Sequence, residues 1–204
     1  MLIKFSSIIE KYGKPNGIIH IGAHLMEERE DYLAHNIDNI IWIEANPEIY
    51  KKILENSIGP NEKLFNYTIS DKDNEIVDFH ITNNGQSSSI LELDKHKIYH
   101  PSIFVTNTIK TNTKRMDSII LKENINIQLY NFLNIDIQGA ELLAIKGFGK
   151  LLNHIKYIYT EINKEELYTN CAKIEDIDKY LVDFDRVETS WTNANWGDAL
   201  YVRK

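Results

Sequence analysis

The chain has 204 residues, 43% of them hydrophobic and 26% charged, which is the length and make-up of one globular unit with a full core. Its formal net charge of −7 argues against a broad grip on nucleic acid, and no apolar run reaches the roughly 18 residues a membrane span needs. The lone Cys171 excludes a disulfide framework and a Cys-based zinc site, and Met1 to Ser6 carries no signal-peptide pattern, so a reducing, cytoplasmic setting is expected.

Leu2, Phe5, Ile8, Ile9 and Tyr12 recur at helical spacing and predict a helix over 2–12, ended by Lys14-Pro15-Asn16-Gly17. A β-branched strand follows over 17–22 and stops at Gly22-Ala23-His24. Met26, Tyr32 and Leu33 give a helix over 26–35 with acids in its first turn, and Ile40 to Glu44 a second strand. Asn46 is placed to cap a helix over 47–57 that starts with Pro47. Leu64 to Ile69 reads as a third strand, followed by Ser70-Asp71. Two extra strands, 76–81 and 104–111, enclose a polar, irregular stretch over 86–102 that holds Ser87-Ser88-Ser89, His96 and His100. A short helix over 117–123 precedes the strand Phe132 to Ile137, a helix over 140–152, a strand over 155–162 and a helix over 174–183. Arms at 184–191 and 198–203 predict a closing hairpin. Strands alternating with helices imply a mostly parallel α/β sheet covered on both faces, with one antiparallel edge. No Pro-, Gly- or Ser-rich linker divides the chain, so 1–204 is read as one domain, with 1–16 an N-terminal helix and 75–115 an insertion of strands and loops.

The chemistry concentrates at strand ends. A glycine ending the first strand and an acid ending the second, Gly22 and Glu44, match the pattern that holds an adenosine-containing cofactor: the glycine permits close approach and the acid takes both ribose hydroxyls. Asn46, Ser70 and Asp71 lie on the same edge of the sheet. Ser70-Asp71 fits adenine contact and a plain turn equally. His20 is read as a hydrogen-bonded core histidine. His24 either meets the cofactor or shapes the loop, and the two imidazoles lack a helical metal-binding spacing, so no metal is expected. Asp136 ends a central strand and Glu161 the next one. Either is placed to orient a hydroxyl or take its proton. Glu141 opens a helix, where an acid also suits the dipole. Trp191 and Trp196 flank the final turn, placed to stack on a ring or to pack the hairpin.

Gly22-Ala23-His24, Glu44-Ala45-Asn46-Pro47, Ser87-Ser88-Ser89, Asn134-Ile135-Asp136-Ile137-Gln138-Gly139-Ala140-Glu141 and Tyr159-Thr160-Glu161-Ile162 occur in an order that resembles FkbM-type methyltransferases, from about residue 17 to 203. The resemblance implies a Rossmann-like class I methyltransferase fold. It also implies S-adenosylmethionine as cofactor and O-methylation of a hydroxyl on a glycan or small metabolite. The cofactor-binding residues it implies are Gly22, Ala23, His24, Glu44, Asn46, Ser70, Asp71 and Ser88, with Asp136 and Glu161 catalytic. The insertion over 75–115 falls near the acceptor site. Two departures stand out: Met26 where the family often has glycine, and Gln138 where it often has glutamate. The rival readings are an NAD-dependent oxidoreductase, which expects later glycines that the stretch from Gly22 to Glu27 lacks, and a cofactor-binding module without turnover, which the two departures keep open.

Overall fold

The computed structural model describes residues 1–56 and 58–204. In chain order its elements are α1 (Phe5–Tyr12), β1 (Ile18–Ile21), α2 (Arg29–Ala34), β2 (Ile40–Ile43), α3 (Pro47–Leu54), β3 (Glu62–Phe65), β4 (Thr68–Ile69), β5 (Ile76–Thr82), α4 (His96–Tyr99), β6 (Val105–Lys114), α5 (Met116–Lys122), β7 (Phe132–Ile135), α6 (Glu141–Gly147), β8 (Tyr157–Asn163), α7 (Ile174–Tyr180), β9 (Phe184–Trp191) and β10 (Trp196–Arg203). Seven strands form one sheet in the order β3-β2-β1-β7-β8-β10-β9. Its first five members run parallel, and β10 pairs antiparallel with both β8 and β9.

The centre of the sheet is buried on both faces: β1, β2 and β7 are buried at every position and apolar at all but His20 and Asn134. Ile19, Ile21, Ile41, Ile43, Leu133 and Ile135 face one layer with α5 and α6. Ile18, Ile40, Trp42 and Phe132 face the other, with α1, Tyr32 of α2, and Ile49 and Ile53 of α3. From β1 the chain proceeds outward through β2 and β3, then returns to lay β7 and β8 on the other side of β1. The crossovers diverge between β1 and β7 and leave a crevice above the carboxyl ends of those strands, the place where open α/β sheets bind ligands. Strands β4, β6 and β5 form a separate three-stranded sheet.

Several predicted boundaries shift, each for a local reason. The expected strand over 64–69 is two strands in different sheets. The chain turns at Asn66, whose amide donates to the carbonyls of Glu44 and Ala45 at 2.7 and 3.1 Å. The helix expected over 26–35 starts only at Arg29, because Met26 has a left-handed φ of +62°. The helix expected over 140–152 stops at Gly147, where an added Cβ would lie 2.4 Å from the carbonyl of Ser70, and a 3-10 segment follows over Gly149–His154. The helix expected over 47–57 ends at Leu54, and Ser57 lies outside the described residues. The helix expected from residue 2 begins at Phe5, the one over 174–183 ends at Tyr180, and the irregular stretch over 86–102 contains α4.

Candidate active site

Gly22 ends β1 with φ +90°, and a Cβ built there would stand 1.8 Å from the carbonyl oxygen of Asp136. No other residue allows β1 and β7 to end side by side. The glycine is thus demanded by the protein's own backbone, a tighter constraint than the ligand approach expected from sequence. Met26 is left-handed as well, and its side chain is buried in the core layer below. That conformation costs a non-glycine residue roughly 1–2 kcal/mol, and burying the methionine offsets it with about 1.5–3 kcal/mol.

Glu44 leaves β2 with its carboxylate buried. Its Oε2 accepts the His24 N–H at 2.8 Å and its Oε1 the Asn46 N–H at 2.7 Å. Burial raises its pKa against those bonds. Each oxygen keeps a free lone pair for a further donor. Asn46 is spent on capping: its Oδ1 accepts from the N–H groups of Glu48 and Ile49 at 3.0 and 3.5 Å. Ala23 is buried in the core. A narrow cleft runs beside Glu44, Gly22 and His24, walled by Tyr67, Phe79 and Ile137 and roofed by Ser88 and Ser89. Ser70 and Asp71 line neither this cleft nor the cavity beside it. Tyr67, Thr68 and Ile69, just before them, line the cleft instead.

A cavity of about 430 Å³ continues from Gly22 and His24 past Asp136 to Tyr168 and Trp196. Its floor is the feature sequence reasoning missed. Gln138 Nε2 donates to Asp136 Oδ1 at 2.6 Å and to Glu161 Oε2 at 2.8 Å, while its Oε1 accepts from the Tyr168 hydroxyl at 2.5 Å. The amide orientation is fixed by its partners, since two carboxylates need donors and a phenol needs an acceptor. The loop carrying it is braced from both sides. Glu141 Oε1 accepts the N–H groups of Ile137 and Gly139, both at 3.0 Å, and the Ser89 hydroxyl donates to the Gln138 carbonyl at 2.8 Å. Glu141 is therefore a loop brace, and the second carboxyl beside Asp136 comes from β8.

Burial pushes the Asp136 carboxyl up to about 6, opposed chiefly by the Gln138 hydrogen bond. Burial and the adjacent Asp136 carboxyl raise Glu161 well above the usual range. Two carboxyls this close retain a proton between them. The Tyr159 hydroxyl and the Leu2 N–H donate to Asp198 Oδ2. His20 is a core histidine whose Nδ1 lies 3.3 Å from the Tyr32 hydroxyl, and burial lowers it to about 4. His24 Nδ1 meets Glu27 Oε1 at 2.5 Å. Trp196 lines the cavity, whereas Trp191 packs under Lys164, whose Nζ lies 4.4 Å from the ring centre. Tyr168, Asp198 and His96 carried no sequence signal, because they reach the site from chain-distant segments. Gln138 did carry one, as a departure from the family pattern.

The profile of the methyltransferase FkbM domain matches residues 13–189. A curated relative, the 2-O-methyltransferase NoeI of Sinorhizobium fredii, is 28% identical over 72% of this chain, and the match spans 63% of that relative's own length. Among solved structures, a protein of the NADB-Rossmann superfamily from Streptococcus agalactiae superposes with TM-score 0.55 and 13% identity, covering 100% of this chain and 69% of that one. TrmK of M. capricolum, solved with S-adenosyl-homocysteine, gives TM-score 0.52 and 7% identity over 100% of this chain and 70% of that one. At such identities the two structures speak for the fold alone.

Proposed function

The chain belongs to the methyltransferase FkbM domain family, and we propose that it transfers a methyl group from S-adenosylmethionine to a hydroxyl of a small molecule or glycan. The observation that carries this reading is the continuous crevice from Glu44, past Gly22, to the carboxyls that Gln138 holds together. Glu44 receives the ribose hydroxyls on its free lone pairs. His24 and the loop after β1 face the methionine end. The cavity lining contains five carboxyl side chains and no Lys or Arg, a donor set that suits a sulfonium cation.

When bound, the cofactor supplies an electrophilic methyl group whose sulfur leaves as a neutral thioether. The residues provide alignment and a proton acceptor. Asp136 takes the proton that the hydroxyl releases as its oxygen becomes an ether. Glu161 retains the proton shared between the pair, so a single negative charge faces the hydroxyl. Gln138 holds both carboxyls in place. The departures at Met26 and Gln138 do not favour a module without turnover, because one is absorbed by the core and the other supplies the link between Asp136 and Glu161.

Calorimetry tests the reading. S-adenosylmethionine and S-adenosylhomocysteine are expected to bind, and NAD is not. NAD binding without either adenosyl compound would overturn the proposal in favour of an oxidoreductase. Tight adenosyl binding with no methyl transfer across sugars, glycans and small alcohols would favour the non-catalytic alternative.

A further inference from the structure

The charges around the larger cavity do not cancel. Glu27, Glu28, Asp136, Glu161 and Asp198 line it, and among the described residues no Lys or Arg does. Glu27 meets His24, and Glu28 pairs with the Met1 amine at 3.3 Å. The other three carboxyls receive hydrogen bonds from neutral donors only: Gln138, Tyr159 and the Leu2 N–H. A shared proton accounts for one charge of the Asp136–Glu161 pair, and a sulfonium beside Asp136 offsets the other. Among the described residues the Met1 amine, already paired with Glu28, is the one fixed cation that acts on Asp198, whose carboxyl burial raises above its usual range, so the lining stays net negative.

A second, independent feature points the same way. His96, on α4 of the insertion, lines this cavity and is only 6% exposed, yet its Nδ1 has no hydrogen-bond partner among the described residues. The ring is held in place by Tyr168 and His100, at centroid distances of 5.3 and 4.8 Å. Burial keeps the imidazole neutral, with its pKa lowered to about 4, and in the tautomer with the proton on Nε2 its Nδ1 presents a lone pair that no group among the described residues satisfies. A buried acceptor without a donor is costly in an isolated protein and is relieved by a donor-rich ligand.

We propose that the acceptor carries a protonated amine beside the hydroxyl to be methylated, with Asp198 as its counter-ion and His96 as a hydrogen-bond partner. The proposal rests on the methyl-transfer reading above. Acceptors bearing phosphate or carboxylate near the hydroxyl are excluded by the same field, since like charges in a desolvated cleft repel.

The test uses the full chain saturated with S-adenosylhomocysteine and three matched probes: 2-aminocyclohexanol, cyclohexane-1,2-diol and 2-hydroxycyclohexanecarboxylate. At neutral pH the amine is expected to bind at least about tenfold tighter than the diol, and the carboxylate not measurably. The amine's advantage should shrink as salt is raised, while the diol's affinity holds. Asp198→Asn keeps an oxygen for Tyr159 and Leu2, and should abolish the amine's preference without changing S-adenosylhomocysteine affinity. His96→Phe should weaken the amine, and His96→Gln should restore part of the loss. The inference is overturned if the carboxylate binds as tightly as the amine, if Asp198→Asn keeps the preference, or if the amine does not bind the saturated protein at all. Failure of S-adenosylhomocysteine itself to bind would instead strike the methyl-transfer reading.

Discussion

Replacing Gln138 with methionine isolates the central link of the site. The side chain keeps its length and loses all three polar contacts: the donors to Asp136 and Glu161 and the acceptor for Tyr168. A hydrogen bond to a charged group contributes about 1.5–3 kcal/mol. About 1.4 kcal/mol corresponds to one pH unit of midpoint. Asp136 titrates near 6 in the intact protein, and the bond from Gln138 is the largest influence holding it down. Losing that bond should move the midpoint to about 7–8. At pH 7 the carboxyl would change from mostly ionised to half ionised or less. Carbon-13 carboxyl NMR of the S-adenosylhomocysteine complex reads the midpoint directly, and the low-pH limb of the methyl-transfer profile should move with it. The stranded Tyr168 hydroxyl should also cost about 1–3 kcal/mol of stability, visible in thermal unfolding. A folded variant whose Asp136 midpoint stays near 6 would refute the reasoning.

Glu44→Ala should weaken S-adenosylhomocysteine binding by about 1–3 kcal/mol in calorimetry, through lost hydrogen bonds to a charged acceptor; unchanged affinity in a folded variant would remove Glu44 from the site. Asp136→Asn should lower turnover about 10²–10⁴-fold while leaving cofactor affinity nearly intact, and full turnover would transfer the base role to Glu161. Glu141 gives a pH-dependent stability effect. Its pKa is raised from 4.5 to about 7 by burial, so the folded state binds more protons than the unfolded chain between those values. The contribution of Glu141 to stability is therefore full below pH 4.5 and is lost as pH rises to about 7, a fall of about 3 kcal/mol. Glu141→Gln keeps an acceptor for Ile137 and Gly139 and should flatten that fall in chemical unfolding series.

The site was legible in sequence where one strand end carries it. Gly22, Glu44 and Asp136 directly follow buried strands, and the alternation of strands and helices forces those ends to one edge of a parallel sheet, whereas Glu161, expected at a strand end, lies within β8, two residues before its last. Local pattern failed where a residue answers to a partner far along the chain. Ser70 and Asp71 follow a strand in the sequence, but that strand belongs to the second sheet, so they miss the crevice. Asn46 caps its own helix, as its spacing allowed. Gln138 looked like a loss of one carboxylate.

By itself the sequence determined the α/β layering, the sheet edge on which Gly22, Glu44 and Asp136 gather, and the family, because burial periodicity and strand-end residues are local and repeat with fixed spacing. Only the tertiary structure decided what the departures mean. Gln138 joins carboxyls 25 positions apart in the chain, Asp136 and Glu161, through an amide that a phenol from a third segment orients. His96, Tyr168 and Asp198 converge on one cavity from an insertion, a loop and the closing hairpin. Such convergence is set by how the sheet brings distant segments together, and no spacing along the chain encodes it.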